Sequence, residues 1–342
     1  MRLVFDVETD DVKATKLWCI VAQDVDSKKI FKFPPDKLSE ACKLLSNAST
    51  LIGHNIIGFD IPIVEKFCNI NLSNKEIIDT LVLSRLFNPV RDGGHSLETW
   101  GYKLGYPKIQ FEEYDKYSDK MLEYCVRDVE LNTKVFYKLR EESKGFSKEC
   151  IELENSVAKI IKQQEVNGFK FDMTAAQLLL AELREKMQKI EDEVHSTFKP
   201  KWVDEKIITP YIRKDGKLSK RGLTDDEYKR CLDTQNFDPF MRQTLQEFNL
   251  ASRKQIGEYL IDFGWKPDRF TPTGQPIVDE KTLSEITHIH EAKLIADFLL
   301  LQKRIAQVDS WVEAVEEDDR VHGFVIPNGT ITGRMTHRNP NM

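Results

Sequence analysis

Hydrophobic and polar positions along this chain follow two styles, and the change comes near residue 145. Before it, short apolar runs alternate with amphipathic stretches. Residues 2–7, 17–23 and 29–33 read as three consecutive strands with a turn at 24–28, the middle one apolar enough for a buried strand. Residues 36–47 place Leu38, Ala41, Leu44 and Leu45 at helical spacing, and 50–55 read as a short buried strand ending in a turn. Further helices are expected at 57–67 and 96–104, with a strand or turn feeding a helix over 77–87. A long helix runs from its cap at Ser118 to about 142. Strands followed by alternating helices and strands predict an α/β sheet with one antiparallel edge.

Beyond 145 the pattern is helical. Residues 151–167 form a helix closed by Gly168, and a long amphipathic one starts at Asp172 or Thr174 and ends near 198. Others are expected from Ser252 through 263 and over 281–287 and 291–315. Between them, 199–250 reads as irregular, broken by Pro200, Pro210, Asp215-Gly216, Arg221-Gly222 and Pro239. A closing strand at 322–326 and a polar tail over 328–342 complete the chain, which has no internal repeat.

At 342 residues the chain accommodates two domains, and 40% apolar with 31% charged residues describes an ordinary globular protein. No run is long and apolar enough to span a membrane, and Asp6, Glu8 and Asp10 break any signal-peptide core. Six cysteines without metal-type spacing read as reduced core residues of a cytoplasmic protein. The net charge of -6 is no mark of a nucleic-acid binder. The charge is uneven, however: residues 201–230 hold nine Lys or Arg against six Asp or Glu, and 321–342 hold two Arg and no carboxylate.

The candidate chemistry starts in the first strand. Asp6 and Glu8 alternate with Phe5 and Val7, so the two carboxylates share a face. Like charges at that spacing are costly without a cation, and an oxygen-only set suits Mg²⁺ or Mn²⁺ better than zinc. Asp60 follows in Asn55-x-x-x-Phe59-Asp60, within the first turn of a helix that favours an anion. Asp128 follows in Tyr124-x-x-x-Asp128, on one helical face with Leu131 and Val135. Asp79 reads as a capping or supporting acid.

In that order and with those neighbours, the four acids resemble the DEDD-type 3′→5′ exonucleases with a tyrosine in the third motif. The resemblance implies a site for two divalent cations, Mg²⁺ or Mn²⁺: Asp6 bridging both, Glu8 and Asp128 on the ion that generates the nucleophile, and Asp60 supporting the second. It also implies that Tyr124 orients the attacking water and that His54, Asn55 and Phe59 grip the 3′-terminal nucleotide. Phe59 is equally consistent with core packing.

A longer resemblance is to the replicative family A DNA polymerases of short-tailed phages. It is carried by Ile78-Asp79-Thr80-Leu81-Val82-Leu83-Ser84-Arg85-Leu86, His95-Ser96-Leu97-Glu98-Thr99-Trp100-Gly101, Asn167-Gly168-Phe169, Ala251-Ser252-Arg253-Lys254-Gln255-Ile256, Gln302-Lys303-Arg304-Ile305 and Thr332-Gly333-Arg334-Met335-Thr336-His337. It implies a ribonuclease H-like exonuclease domain over 1–145, a mixed sheet flanked by helices. A mostly helical thumb follows over 146–320, with a basic insertion at about 199–250, and 321–342 begin the palm. Lys303, Arg304, Arg334 and His337 would contact DNA, single-stranded at the 3′ end and duplex at the primer–template.

The palm carboxylates and fingers helix of that family would lie beyond Met342. The reading is therefore a proofreading exonuclease and thumb whose polymerase half is a second polypeptide, or a chain cut from a longer one, in the host cytoplasm if phage-encoded. Residues 199–250 stand where some relatives clamp a thioredoxin-like processivity factor, and Arg213, Lys214, Lys217, Lys220 and Arg221 would equally serve DNA. Two other readings compete: a stand-alone RNase D-like exoribonuclease, and a non-catalytic DNA-binding subunit.

Overall fold

The computed structural model describes residues 1–340, which pack into two compact units. The first comprises residues 1–171 and those from 313 onward, and the second is Asp172–Val312. The terminal residues of the expected palm segment, Asn341 and Met342, lie outside the described residues.

The first unit begins with β1 (Arg2–Thr9), β2 (Leu17–Asp24) and β3 (Ile30–Phe33), then α1 (Leu38–Asn47), β4 (Thr50–Gly53), α2 (Asp60–Cys68) and β5 (Glu76–Asp79). The five strands form one sheet in the order β3-β2-β1-β4-β5. β1 pairs antiparallel with β2 and parallel with β4, which puts the antiparallel hairpins at one edge as the pattern predicts. β1 is central and covered on both faces. Leu3, Phe5 and Val7 join Ala41, Leu45 and Val64 from α1 and α2 in one core. Val4 joins Met121, Cys125 and Val129 of the long helix α5 (Asp119–Glu142) in another. Strand alternation therefore turns Asp6 and Glu8 toward α5.

Between β5 and α5 in the chain come α3 (Thr80–Phe87) and α4 (Leu97–Lys103), both packed against α5. Their caps are local and legible: Asp79 accepts from Leu81 and Val82 N–H, Ser96 from Thr99 N–H, and Ser118 from Met121 N–H. The helix α6 (Lys148–Asn167), assigned from sequence to the helical part, packs on α3 and β5 within this unit. There the side-chain oxygen of Asn155 accepts from Asp79 N–H at 3.2 Å. Gly168 then turns the chain with φ 60° into β6 (Phe169–Lys170).

The second unit opens with α7 (Met173–Thr197), capped by Asp172, then β7 (Lys201–Ile208), α8 (Asp225–Thr234), β8 (Phe240–Gln246), α9 (Arg253–Asp262), α10 (Glu280–Glu285) and α11 (His290–Glu313). Phe198, Phe248, Ile256, Leu260, Trp265, Leu283 and Ile295 form its core. Residues 199–250, expected to be irregular, contain a two-stranded antiparallel ribbon of β7 and β8 with α8 between them. The signal is missing because an isolated ribbon wetted on both faces needs no apolar–polar alternation; Trp202 and Ile207 are 67% and 66% exposed.

The ribbon is tied to α8 where Arg242 Nε donates to Glu227 Oε1 at 2.8 Å. That bond holds the Glu227 carboxyl down to about 2, well below its ordinary 4.5. A depressed carboxyl stabilises the fold above the unfolded value and stops doing so as pH falls through the folded one. The second unit should lose this contribution between about pH 4.5 and pH 2. Acid unfolding of Glu227→Gln, followed by circular dichroism, should lack that step.

The chain returns to the first unit through β9 (Arg320–Val321), paired with β6, and β10 (Phe324–Ile326), paired with β11 (Thr336–Arg338). β11 lies in what reads as a polar tail, because its strand state comes from a partner ten residues earlier. A Cβ on Gly168 would stand 2.8 Å from the His322 ring, whose Nδ1 bonds Glu165 O at 2.8 Å. Gly168→Ala should therefore cost about 2 kcal/mol or more in a thermal melt. The same change at Gly145, also at positive φ but with nothing within 4 Å, should cost less.

One cysteine reading is corrected. Cys42 and Cys68 are joined as a disulfide between α1 and α2, whereas Cys19, Cys125, Cys150 and Cys231 are free. Neither spacing nor neighbours announce a pair that the packing of two helices creates. Among the described residues no helix is long and apolar enough to cross a membrane.

Candidate active site

β1 carries Asp6 half-buried and Glu8 at 7% exposure, side by side on the α5 face. Asp60 reaches the strand from the start of α2, where its Oδ1 accepts from Val7 N–H at 3.1 Å. Asp128 arrives from α5 and is 4% exposed. The four acids come from three elements, and Asp6 is near enough to Glu8, Asp60 and Asp128 for their charges to act on one another.

Burial raises the proton affinity of all these acids, and for Asp6, Glu8 and Asp60 a neighbouring carboxylate adds to it. Asp6 is raised by burial and by Asp128, Glu8 by burial and by Asp6, and Asp60 by burial and by Asp6. Burial also raises Asp128, against the opposing charge of Lys108. Asp128 Oδ2 lies 2.6 Å from Lys108 Nζ, while its Oδ1 is buried with no hydrogen-bond partner. Crowded acids and an orphaned oxygen fit the donor set that a hard divalent cation would take. Asp6, Glu8 and Cys125 each bring a ligand atom within 4.8 Å of the others. Burial keeps the Cys125 thiol protonated, so the oxygens remain the ligands of choice.

Tyr124 stands one turn before Asp128, its ring stacked on Phe111 at 5.5 Å and Lys108 Nζ 4.8 Å from its centroid. Burial, Asp128 and Glu8 push its phenol well above the ordinary tyrosine value. It therefore stays protonated and cannot serve as a base.

His54, Asn55 and Phe59 line a cleft of about 920 Å³ within the first unit, together with Arg85, Lys162 and Arg338. His54 Nδ1 bonds Thr80 Oγ1 at 2.9 Å, its Nε2 has no partner, and burial holds the ring neutral with a value of about 3. Asn55 adopts φ 62°, and its N–H donates to Asp79 at 3.0 Å. Phe59 packs on the core beneath and lines the cleft. Asp79 accepts from four backbone N–H groups and is a structural cap.

The remaining nucleic-acid candidates are on other elements. Lys303 and Arg304 are exposed on α11 of the second unit, where Lys303 lines a cleft of about 560 Å³ with Arg253 and Leu283. Arg334 and His337 are exposed in the returning segment of the first unit, His337 opposite Val325. The residue the motifs miss is Lys108. It sits in a stretch without regular structure, and no local pattern marks it.

The chain as a whole is similar to known proteins. Residues 227–342 match the model of DNA polymerase family A. The DNA-directed DNA polymerase of Escherichia phage T7 is 27% identical and that of Enterobacteria phage T3 is 28% identical. Each alignment covers 99% of this chain and 62% of the relative. DNA polymerase I of Helicobacter pylori is 26% identical over 88% of this chain and 29% of its own. The chain thus spans less than two thirds of the length of these relatives. In fold it is similar to the POL domain of Pol1 from M. smegmatis in complex with DNA primer-template and dNTP, with a TM-score of 0.68 at 13% identity. That likeness covers 100% of this chain and 51% of the other. Residues 227–342 thus carry a match to DNA polymerase family A, and over nearly its whole length the chain is similar to phage DNA polymerases.

Proposed function

We propose that the first unit is a ribonuclease H-like 3′→5′ exonuclease that removes nucleotides from a DNA 3′ end, and that the second is a polymerase thumb. What carries the reading is the convergence of Asp6, Glu8, Asp60 and Asp128 with raised proton affinities and one unpartnered oxygen. Such an arrangement is costly in the absence of a ligand and is explained by one that is cationic. Asp6, Glu8, Asp60 and Asp128 would hold two divalent cations, which when bound lower the pKa of an attacking water and offset charge on the leaving oxygen.

The chain's own residues supply the rest. Arg85, Lys162 and Arg338 attract the phosphate backbone to the cleft, and the Phe59 ring offers a face on which a terminal base stacks. His54 contributes a neutral ring to the wall of the cleft. The protonated Tyr124 hydroxyl orients the water. Lys303, Arg304, Arg334 and His337 are assigned to backbone contacts with primer–template.

We assign polymerisation to palm and fingers outside these residues, on a continuation of the chain or on a second polypeptide. The ribbon favours a protein partner for 199–250 over DNA alone. Trp202 pairs with Leu245 and Ile207 with Met241, all four exposed, as a thioredoxin-like processivity factor would need.

Digestion of labelled single-stranded DNA with Mg²⁺, beside the Asp6→Ala, Glu8→Ala double variant, tests the reading. Stepwise shortening from the 3′ end by the wild type alone is expected. Preference for RNA would instead favour the exoribonuclease reading, and no digestion by a folded wild type would favour the non-catalytic one.

A further inference from the structure

We infer that Lys108 is a resident cation of the carboxylate cluster, giving up Asp128 when a divalent ion binds and so coupling its loop to occupancy of the site. The inference rests on the exonuclease reading above and names a control on that same site.

Lys108 lies in the connection between α4 and α5, residues 104–118, which contains neither helix nor strand. Its side chain is 21% exposed and its ammonium is 2.6 Å from Asp128 Oδ2. The same charge is felt by Asp6 and Glu8, so one ammonium faces three acids. That balance is incomplete in a specific way. An ammonium only donates, to one oxygen per proton, and Asp128 Oδ1 is left buried and unpartnered. Lys108 thus offsets part of the cluster's negative charge and leaves Asp128 Oδ1 without a partner.

The loop is held over α5 by a few contacts. Tyr106 Oη donates to Glu130 Oε2 at 2.5 Å, Trp18 Nε1 donates to Tyr114 O at 2.9 Å, and Phe111 stacks on Tyr124. Lys108 adds the ion pair and a cation–π contact with Tyr124. A divalent ion carries twice the charge of the ammonium and needs the same carboxylate, so the two compete for Asp128. On release, the four-carbon stem of Lys108 is long enough to swing to solvent, and the loop loses its anchor nearest the acids.

The test is Mn²⁺ binding by calorimetry at fixed pH to the wild type, Lys108→Met and Lys108→Arg, each checked for folding by circular dichroism. Removing the competing ammonium should tighten Mn²⁺ binding about tenfold in Lys108→Met, the scale of one charged hydrogen bond, while Lys108→Arg stays near the wild type. Mn²⁺ should also speed amide exchange over 105–117 in the wild type and leave it unchanged in Lys108→Met. Unchanged or weaker Mn²⁺ binding by Lys108→Met overturns the role of Lys108 and leaves the exonuclease reading standing. No Mn²⁺ binding by folded wild type and variant alike overturns both.

Discussion

Asp6→Asn should abolish the proposed hydrolysis and, in the same protein without metal, raise thermal stability. The two effects have one cause. Asp6 is pushed up by burial and by Asp128, and it in turn raises Glu8 and Asp60. Acids whose folded-state affinity for protons exceeds the unfolded one destabilise the fold as pH rises above about 4, through neutrality. An amide removes one member of the crowd and relieves its neighbours. Near neutral pH the metal-free variant should melt roughly 3–8 °C above the wild type, equivalent to about 1–2 kcal/mol for a unit of this size. The gap should shrink at acid pH, where the wild-type cluster takes up its protons. Saturating Mg²⁺ should raise the wild type and leave the variant behind. Cleavage by the variant should fall by about 10³-fold or more, the scale on which one preorganised electrostatic group acts. A variant less stable than the wild type at every pH would mean that Asp6 is held by favourable partners and that the cluster is not built for a cation.

Tyr124→Phe should lower kcat about 10- to 100-fold and leave KM for single-stranded DNA nearly unchanged. The phenol lies well above the working pH range because it is buried beside Asp128 and Glu8. It therefore contributes a positioned hydroxyl, and losing one hydrogen bond to a charged centre corresponds to that range. The pH–rate profile should keep its shape, since no titrating group is lost. Loss of one limb of the profile in Tyr124→Phe would show that Tyr124 ionises during the reaction and would overturn the positioning role. Ring packing against Phe111 is retained by the substitution, so the melting temperature should move little.

Much of the fold was legible because it is local. Ser96, Ser118 and Ser252 cap the helices that follow them, and Gly168 ends one at positive φ. These depend on a few consecutive residues and on steric rules that act within one turn. The shared face of Asp6 and Glu8 follows from the two-residue period of a strand, and that of Tyr124 and Asp128 from the helical period. Part of the site was therefore written in spacing alone.

The ribbon at β7 and β8 and the pairing of β10 with β11 were not legible, because their strand state is supplied by a partner strand and not by an alternating surface. The Cys42–Cys68 link depends on how α1 lies against α2, which no run of residues encodes. Lys108 is the clearest case. By itself it is one of many lysines in a loop, and only the tertiary structure sets it against Asp128 and the Tyr124 ring. The sequence determined which carboxylates this protein brings, through periods of two and 3.6 residues that any strand or helix obeys. The fold decided how close they stand, how deeply they are buried and which cation faces them, because distance and desolvation are properties of segments that meet only after folding.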